Sequence, residues 1–360
     1  MDIKKISIIG LGLIGGSLAK AFRNSEYNFE ISAYDMPEIL SQALTDKSID
    51  LALNKIDDAL AADIIFLCLP VQSSIEIFGN ISPRLKPDQI LTDVCGVKKV
   101  FDDIWKNSKS LGIYIGGHPM TGKEIGGYKN SDPLLFENSV YILSDTNKDN
   151  SAIKDFLELI KITGAKRIFL SPLLHDKIVA SVSHLPQLLS IALVNNSAIT
   201  EDEINFLDFA AGGFRDMTRI ASSNFDIWES IIKENKFKIL ESINSFQIEL
   251  NQINSFLEND EFGSISAKFE EARIKRDEIP KNTKGFLTPL HDIFVFVSDV
   301  PGVISKISTS LFNNNINIKD IELLKIREGT GGTFRLSFES DTDAKKAERM
   351  LQEIGYKIKI

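Results

Sequence analysis

Three glycines, Gly10, Gly12 and Gly15, stand at GxGxxG spacing in "IIGLGLIGGSLAKAF" (residues 8–22). Alone, that spacing fits a glycine-rich strand-to-helix turn as well as a dinucleotide cradle; its surroundings favour the cradle. Lys5–Ile9 predicts a strand, Ser17–Phe22 a helix, and Glu30–Tyr34 a second strand ending at Asp35. In such a unit the middle glycine lets the backbone approach a pyrophosphate. The helix N-terminus offers free N–H groups and partial positive charge, and a carboxylate ending the second strand accepts from an adenosine ribose. Met36 and Pro37 follow with no adjacent arginine for a 2′-phosphate, which favours NAD over NADP. The other reading of Asp35 is a strand-end turn residue. Gly10, Gly12, Leu13, Ile14, Gly15 and Asp35 are the candidate cofactor residues here.

Later strands also end on residues fit for chemistry. "DIIFLCL" (63–69) stops at Pro70, Gln89–Val94 runs into "DVCGVKK" with Asp93, Gly96 and Lys98, and Ile113–Gly116 leads into "GGHPMTGKE" with His118. In a parallel sheet these positions lie at the strand carboxyl ends, where a nicotinamide and its substrate meet. Pro70 and Asp93 join the cofactor candidates. In "HDKIVASVSHLPQLLSIALVNN" (175–196), Ser183, His184 and Gln187 are three or four apart and face roughly one way. A core histidine with satisfied hydrogen bonds fits that pattern equally. "AAGGFRDMTRIASSNFDIW" (210–228) sets Arg215 and Arg219 on one helical face, and arginines in an apolar segment seek carboxylates. For Arg215 an internal pair with Asp216, Asp226 or Glu229 is the alternative.

The elements that carry these residues alternate strand and helix, with Val140–Leu143 and Arg167–Leu170 closing the series, which predicts a doubly wound parallel sheet. From Ser171 the strands stop. Residues 175–196 are apolar nearly all round, as a buried helix is, with a kink expected at Pro186. One long helix is expected from Trp228 to about Leu257, with Ile239, Ile243, Phe246, Leu250, Ile253 and Leu257 alternating spacings of four and three. That seam pairs helices, between subunits or within one. After a Pro/Gly linker (279–289), residues 291–360 predict strand, helix, strand, strand, helix, strand: a ferredoxin-like βαββαβ unit.

Composition bounds the reading further. The 360 residues carry a net charge of −9, which argues against nucleic-acid or anionic-membrane partners. Two cysteines build no disulfide framework, and four histidines without close Cys/His pairing give no metal spacing. The apolar stretch Ile178–Val194 is interrupted by Ser181, Ser183, His184, Gln187 and Ser190, so a core helix is expected rather than a membrane span. A chain opening straight into a strand leads us to expect no signal peptide and a cytoplasmic location.

"GLGLIGGSLAKA", "DVCGVKK", "GGHPMTGKEIGGY", "SHLPQ" and "GGFRDMTRIASSNFDIW", in this order over residues 3–285, resemble the prephenate dehydrogenase family of tyrosine biosynthesis. The tail, with "DVPGVISKIS", resembles an ACT domain. The resemblance implies an NAD-binding Rossmann domain (1–170), an all-α substrate and dimerisation domain (171–280) and an ACT-like regulatory domain (290–360). It implies oxidative decarboxylation of prephenate, or of arogenate, by a cytoplasmic homodimer, with tyrosine as a candidate effector at the tail. His118 would take the ring-hydroxyl proton, Arg219 would hold a substrate carboxylate, Glu124 would stand near the site mouth, Ser183 and His184 would line the pocket, and Trp228 would stand close by. Two positions depart from the family pattern: Gly96 replaces a serine of "DxGSVK", and Gln187 replaces a histidine of "HLPH". Two rival readings are a non-catalytic NAD- and amino-acid-sensing regulator and another β-hydroxyacid-type dehydrogenase. The latter usually places a lysine on the long helix, and Ile178–Val194 has none.

Overall fold

The computed structural model describes residues 3–122, 125–278, 290–327 and 331–359, and the elements below are those of the described residues. Two compact units result, Met1–Ala267 and Lys268–Ile360.

The first unit opens with strand β1 (Lys5–Ile9), helix α1 (Leu13–Arg23), β2 (Glu30–Tyr34), α2 (Pro37–Thr45) and β3 (Leu51–Ala52). It continues through β4 (Ile64–Leu67), α3 (Val71–Ile81), β5 (Ile90–Asp93), α4 (Lys99–Asn107) and β6 (Ile113–Tyr114). The strands form one parallel sheet in the order β3-β2-β1-β4-β5-β6. Alternation along each strand feeds two cores. Ile6, Ile8, Ile64 and Phe66 pack with α1 on one face, while Ile9, Ile65, Leu67 and Leu91 pack with Phe78 of α3 and Phe101 of α4 on the other. The strand order reverses between β1 and β4, which opens a crevice at their carboxyl ends.

The strands expected to close this series do not join it. Gly117–Pro119 (β7), Val140–Ser144 (β8) and Lys166–Leu170 (β9) make a separate three-stranded sheet, with β7 antiparallel to β8 and the helix Ile153–Ile162 (α5) between β8 and β9. The chain turns out of β6 at two glycines. A Cβ on Gly116 would lie 2.6 Å from the Tyr114 hydroxyl, and one on Gly117 2.7 Å from the Asp93 carbonyl. Only a bare backbone passes there.

Helices follow: α6 (Pro172–Val179), a π-helical turn (Ala180–His184), α7 (Leu185–Ser197), a short hairpin of β10 (Thr200–Glu201) and β11 (Ile204–Asn205), α8 (Gly212–Thr218), α9 (Phe225–Glu234), α10 (Lys236–Glu258) and α11 (Phe262–Glu278). Two expectations are corrected. The helix expected over 228–257 is broken at buried Asn235, whose φ and ψ are −106° and 17°. The helix expected to be buried leaves Val182 and Ile191 exposed in the single chain. By length and composition, Pro172–Ser197 is apolar enough to cross a membrane. Its inward side nevertheless carries His175, Asp176, His184, Gln187 and Ser190, all buried in protein.

The second unit folds as strand β12 (His291–Val297), α12 (Val303–Asn313), β13 (Asp320–Arg327), β14 (Gly331–Phe338), α13 (Asp341–Glu353) and β15 (Lys357–Lys359). The antiparallel order β13-β14-β12-β15 is the ferredoxin-like arrangement. Ile293, Val295, Leu336 and Phe338 pack on Ile307, Leu311 and Leu351 of its helices.

Candidate active site

The β1–α1 turn is shaped by absent side chains. Gly10 has φ +97° and donates its N–H to the Tyr34 carbonyl (2.9 Å), and a Cβ there would meet the Cys68 carbonyl at 2.5 Å. A Cβ on Gly15 would lie 1.9 Å from the Gly10 carbonyl, so α1 packs flush on the turn. Gly12 is the opposite case: nothing lies within 4 Å of its Cβ position. It caps α1 without a side-chain bond, and first-turn N–H groups, those of Leu13 and Ile14 among them, have no acceptor within the helix. Asp35 ends β2, and its carboxylate accepts from Leu11 N–H (2.5 Å) and Met36 N–H (2.6 Å), so it stands fixed beside the turn. Tight turn, open approach and anchored carboxylate fit an NAD adenosine and pyrophosphate. Pro70 stands exposed at the start of α3, across the crevice between β1 and β4.

Asp93 is a different matter. It is fully buried, ion-paired to Lys98, and accepts from the Tyr114 hydroxyl (2.8 Å) and Cys95 N–H (2.9 Å). A carboxylate so enclosed does not face a cofactor; it holds the buried Lys98 cation beneath the site. This corrects its place among the cofactor contacts.

His118 lies in β7 and is half-buried. Its Nδ1 is 2.9 Å from His175 Nε2, the two rings meeting edge to face, and His175 Nδ1 is 2.7 Å from Asp176 Oδ1. The Asp176 carboxylate also accepts from Lys98 N–H (2.8 Å) and Lys99 N–H (2.9 Å), and so caps α4 from a different helix. On the other edge of His118, a Cβ on Gly96 would lie 3.8 Å from Cε1 and Nε2. Burial, then the neighbouring His175, Lys98 and His184, push the His118 pKa well below the usual imidazole value, so the ring is neutral at pH 7. His175 is lowered too, chiefly by burial, against the raising effect of its bond to Asp176.

The helical part joins this cluster through Asn235. Its Nδ2 donates to the Asp176 carbonyl (2.8 Å) and lies 3.2 Å from His184 Nδ1. Trp228 meets His184 edge to face at 5.8 Å, and burial lowers the His184 pKa to about 4. Gln187 is buried and donates to the Ile220 carbonyl (2.9 Å), the residue after Arg219. Its amide thus braces the turn that carries the exposed Arg219. Ser183 is half-buried in the π-helical turn; Arg215 is exposed on α8. Glu124 lies outside the described residues.

Contacts therefore join Gly96, His118, His175, Asp176, Asn235, His184 and Trp228, with Gln187 one turn from His184. The sequence motifs alone do not single out His175, Asp176 and Asn235. Nine α-helical steps of about 100° would set His175 and His184 on opposite sides of a helix. The π-helical turn between them shifts that phase and brings both rings to the buried side. The available signal was a His-Asp pair opening an apolar helix and an asparagine interrupting a heptad seam.

Comparison with known proteins bears on this arrangement. Residues 18–169 match the family described as prephenate dehydrogenase, nucleotide-binding domain, and residues 171–271 match prephenate dehydrogenase, dimerization domain. The prephenate dehydrogenase of Bacillus subtilis (strain 168) is 33% identical over 353 residues, 96% of this chain and 95% of that protein. The crystal structure of prephenate dehydrogenase from A. aeolicus, in complex with hydroxyphenyl propionate and NAD+, has a TM-score of 0.70 at 31% identity, over 78% of this chain and 99% of that one. Synechocystis arogenate dehydrogenase gives 0.69 at 28% identity, over 76% and 99%.

Proposed function

This chain belongs to the prephenate dehydrogenase family, and from that premise we propose how its residues divide the NAD-dependent oxidative decarboxylation of prephenate. When bound, NAD+ supplies the acceptor for the hydrogen and electron pair that leave the hydroxyl-bearing ring carbon. Gly10, Gly12, Gly15 and the first turn of α1 hold its pyrophosphate, and Asp35 holds its ribose. His118 accepts the ring-hydroxyl proton at Nε2 as that oxygen becomes a carbonyl; as carbon dioxide departs, the electron pair of the breaking bond moves through the ring to that oxygen, which takes a proton back while the ring becomes aromatic. A base is useful here only when neutral, which is the state its surroundings impose. Arg219 pairs with a substrate carboxylate, and Ser183, His184 and Trp228 wall the ring pocket. The observation that carries this reading is the position of His118, bound at Nδ1 by buried His175 and with Nε2 on the side of Gly96, which has no side chain.

Prephenate is preferred to arogenate in this reading, which differs only in the keto or amino group of the side chain. The bound hydroxyphenyl propionate of the A. aeolicus structure, a ring with an acid side chain and no amine, supports it. The exposed seam residues Phe246, Leu250, Ile253 and Leu257 on α10 lie within the part matching the dimerization domain and support a homodimer, working in the cytoplasm. In the tail, a cavity of about 350 Å³ lined by Val297, Asp299, Gly302, Ile304 and Phe334 is of a size for one amino acid, with tyrosine the proposed effector. The deciding experiment follows NADH absorbance with prephenate and arogenate in parallel, with and without tyrosine. Prephenate should turn over faster and tyrosine should slow it. Faster arogenate turnover would reverse the substrate assignment.

A further inference from the structure

Hydrogen-bonding roles around His118 can be worked out from one end of the chain of contacts. The Asp176 carboxylate is fixed as an acceptor, because two backbone N–H groups, those of Lys98 and Lys99, already donate to it. The proton on the 2.7 Å bond to His175 Nδ1 therefore belongs to the imidazole. A neutral His175 with its proton on Nδ1 has a bare Nε2, which must accept. The partner on that 2.9 Å bond is His118 Nδ1, so it carries a proton. A neutral His118 protonated at Nδ1 leaves Nε2 bare, and Nε2 is the atom on the Gly96 side. Every link is a buried or half-buried contact, and reversing one would set two lone pairs or two protons against each other.

We infer that His175, fixed by Asp176, is a positioning residue that holds His118 in the one tautomer whose Nε2 can take the substrate proton. The inference rests on His118 being the base proposed above. It extends the catalytic unit from β7 into α6 and explains why a carboxylate from α6 caps α4. The same carboxylate fixes the loop carrying Gly96 and fixes the imidazole facing it. Once Nε2 is protonated, the Nδ1–H bond to His175 persists, so the ring keeps its orientation through the proton transfer.

Two conservative variants separate this role from packing. In His175→Gln, Oε1 replaces Nε2 and still accepts from His118, whereas the bond to Asp176 is lost. In His175→Asn, Nδ2 replaces Nδ1 and keeps the bond to Asp176, whereas the acceptor for His118 is lost. With prephenate and saturating NAD+, the glutamine variant should keep kcat at least tenfold above the asparagine variant. The direction follows from serine-protease triads, where a wrongly set tautomer costs about 10⁴ in kcat. NAD+ affinity, measured by calorimetry, should match wild type in both. Equal kcat in the two, or a faster asparagine variant, overturns the inference. A measurement on the unmodified enzyme stands if either variant fails to fold: ¹⁵N shifts of its four labelled histidines, with His118 assigned by its loss in His118→Asn. A bare Nε2 and protonated Nδ1 on His118 are expected, and the reverse pattern overturns it. Wild-type turnover in His118→Asn would instead remove the base assignment itself, an outcome distinct from either result at position 175.

Discussion

The two ends of the crevice are built on opposite plans. At the cofactor end, the parts lie within residues 5–35, and the structure is made by backbone and by side chains that are missing: Gly10 and Gly15 because a Cβ would strike a carbonyl, Gly12 because nothing stands before it. At the reacting end the parts come from residues 93 to 235, and His118, His175 and His184 are each held by a side chain that is itself buried. A cradle of backbone N–H groups binds an anion whatever side chains stand on its outer face. A buried polar network works only when each donor meets an acceptor. Substitutions should therefore act locally at one end and propagate at the other.

The largest effect is expected at His118. Replacing it with asparagine should lower kcat by about 10²- to 10⁴-fold, the range for a lost general base, with NAD+ affinity unchanged. A parallel loss of NAD+ binding would show that the two ends are not separable. Next comes the dependence of stability on pH. His184 has its pKa lowered from 6.5 to about 4 in the fold, so the folded state binds fewer protons than the unfolded chain between those values. Stability from this group is therefore complete above pH 6.5 and lost as pH falls toward 4, a change of about 3 kcal/mol. The melting temperature should drop between pH 7 and pH 4.5, and His184→Gln should flatten that slope. An unchanged slope would mean that His184 is not held neutral by burial.

The contrast also explains what the amino-acid order disclosed. Strand, turn, helix and second strand follow one another directly around Gly10–Asp35, so local pattern sufficed; β1 and β2 fall at Lys5–Ile9 and Glu30–Tyr34, and the tail has its strands and helices in the order that the pattern predicts. The departure of β7 from the main sheet was hidden, because it depends on Tyr114 and Asp93 leaving no room beside Gly116 and Gly117. Asn235 looked like one more helical position, since its reason for breaking the helix is a bond to the Asp176 carbonyl across the fold. The π-helical turn at Ala180–His184 hid the shared face of His175 and His184 for the same kind of reason: the phase of that helix is set by packing.

Smaller effects test where the border between the two plans runs. Arg219→Ala should raise KM for prephenate at least tenfold, since a charge-assisted hydrogen bond is worth about 1.5–3 kcal/mol. An unchanged KM would assign Arg219 to bracing the helices together with Gln187. Asp35→Ala should weaken NAD+ by about tenfold and NADP+ much less, because only the former uses the carboxylate as a ribose acceptor. Equal weakening would mean that Asp35 serves the turn alone, through its bonds to Leu11 and Met36.

The smallest effect belongs to Gly96, which sits at the reacting end but is built like the cradle, as a space. A Cβ there would lie 3.8 Å from His118 Cε1 and Nε2, which is ordinary contact, so Gly96→Ser should fold without strain. Its hydroxyl would stand beside the edge of His118 that receives the substrate. One neutral hydrogen bond contributes about 0.5–1.5 kcal/mol, so KM for prephenate should fall by a few-fold, with NAD+ affinity unmoved. A rise in KM would mean that the substrate itself occupies the room over Gly96. The glycine would then be part of how this chain shapes its pocket, and the cradle's way of building with absent side chains would extend to the reacting carbon.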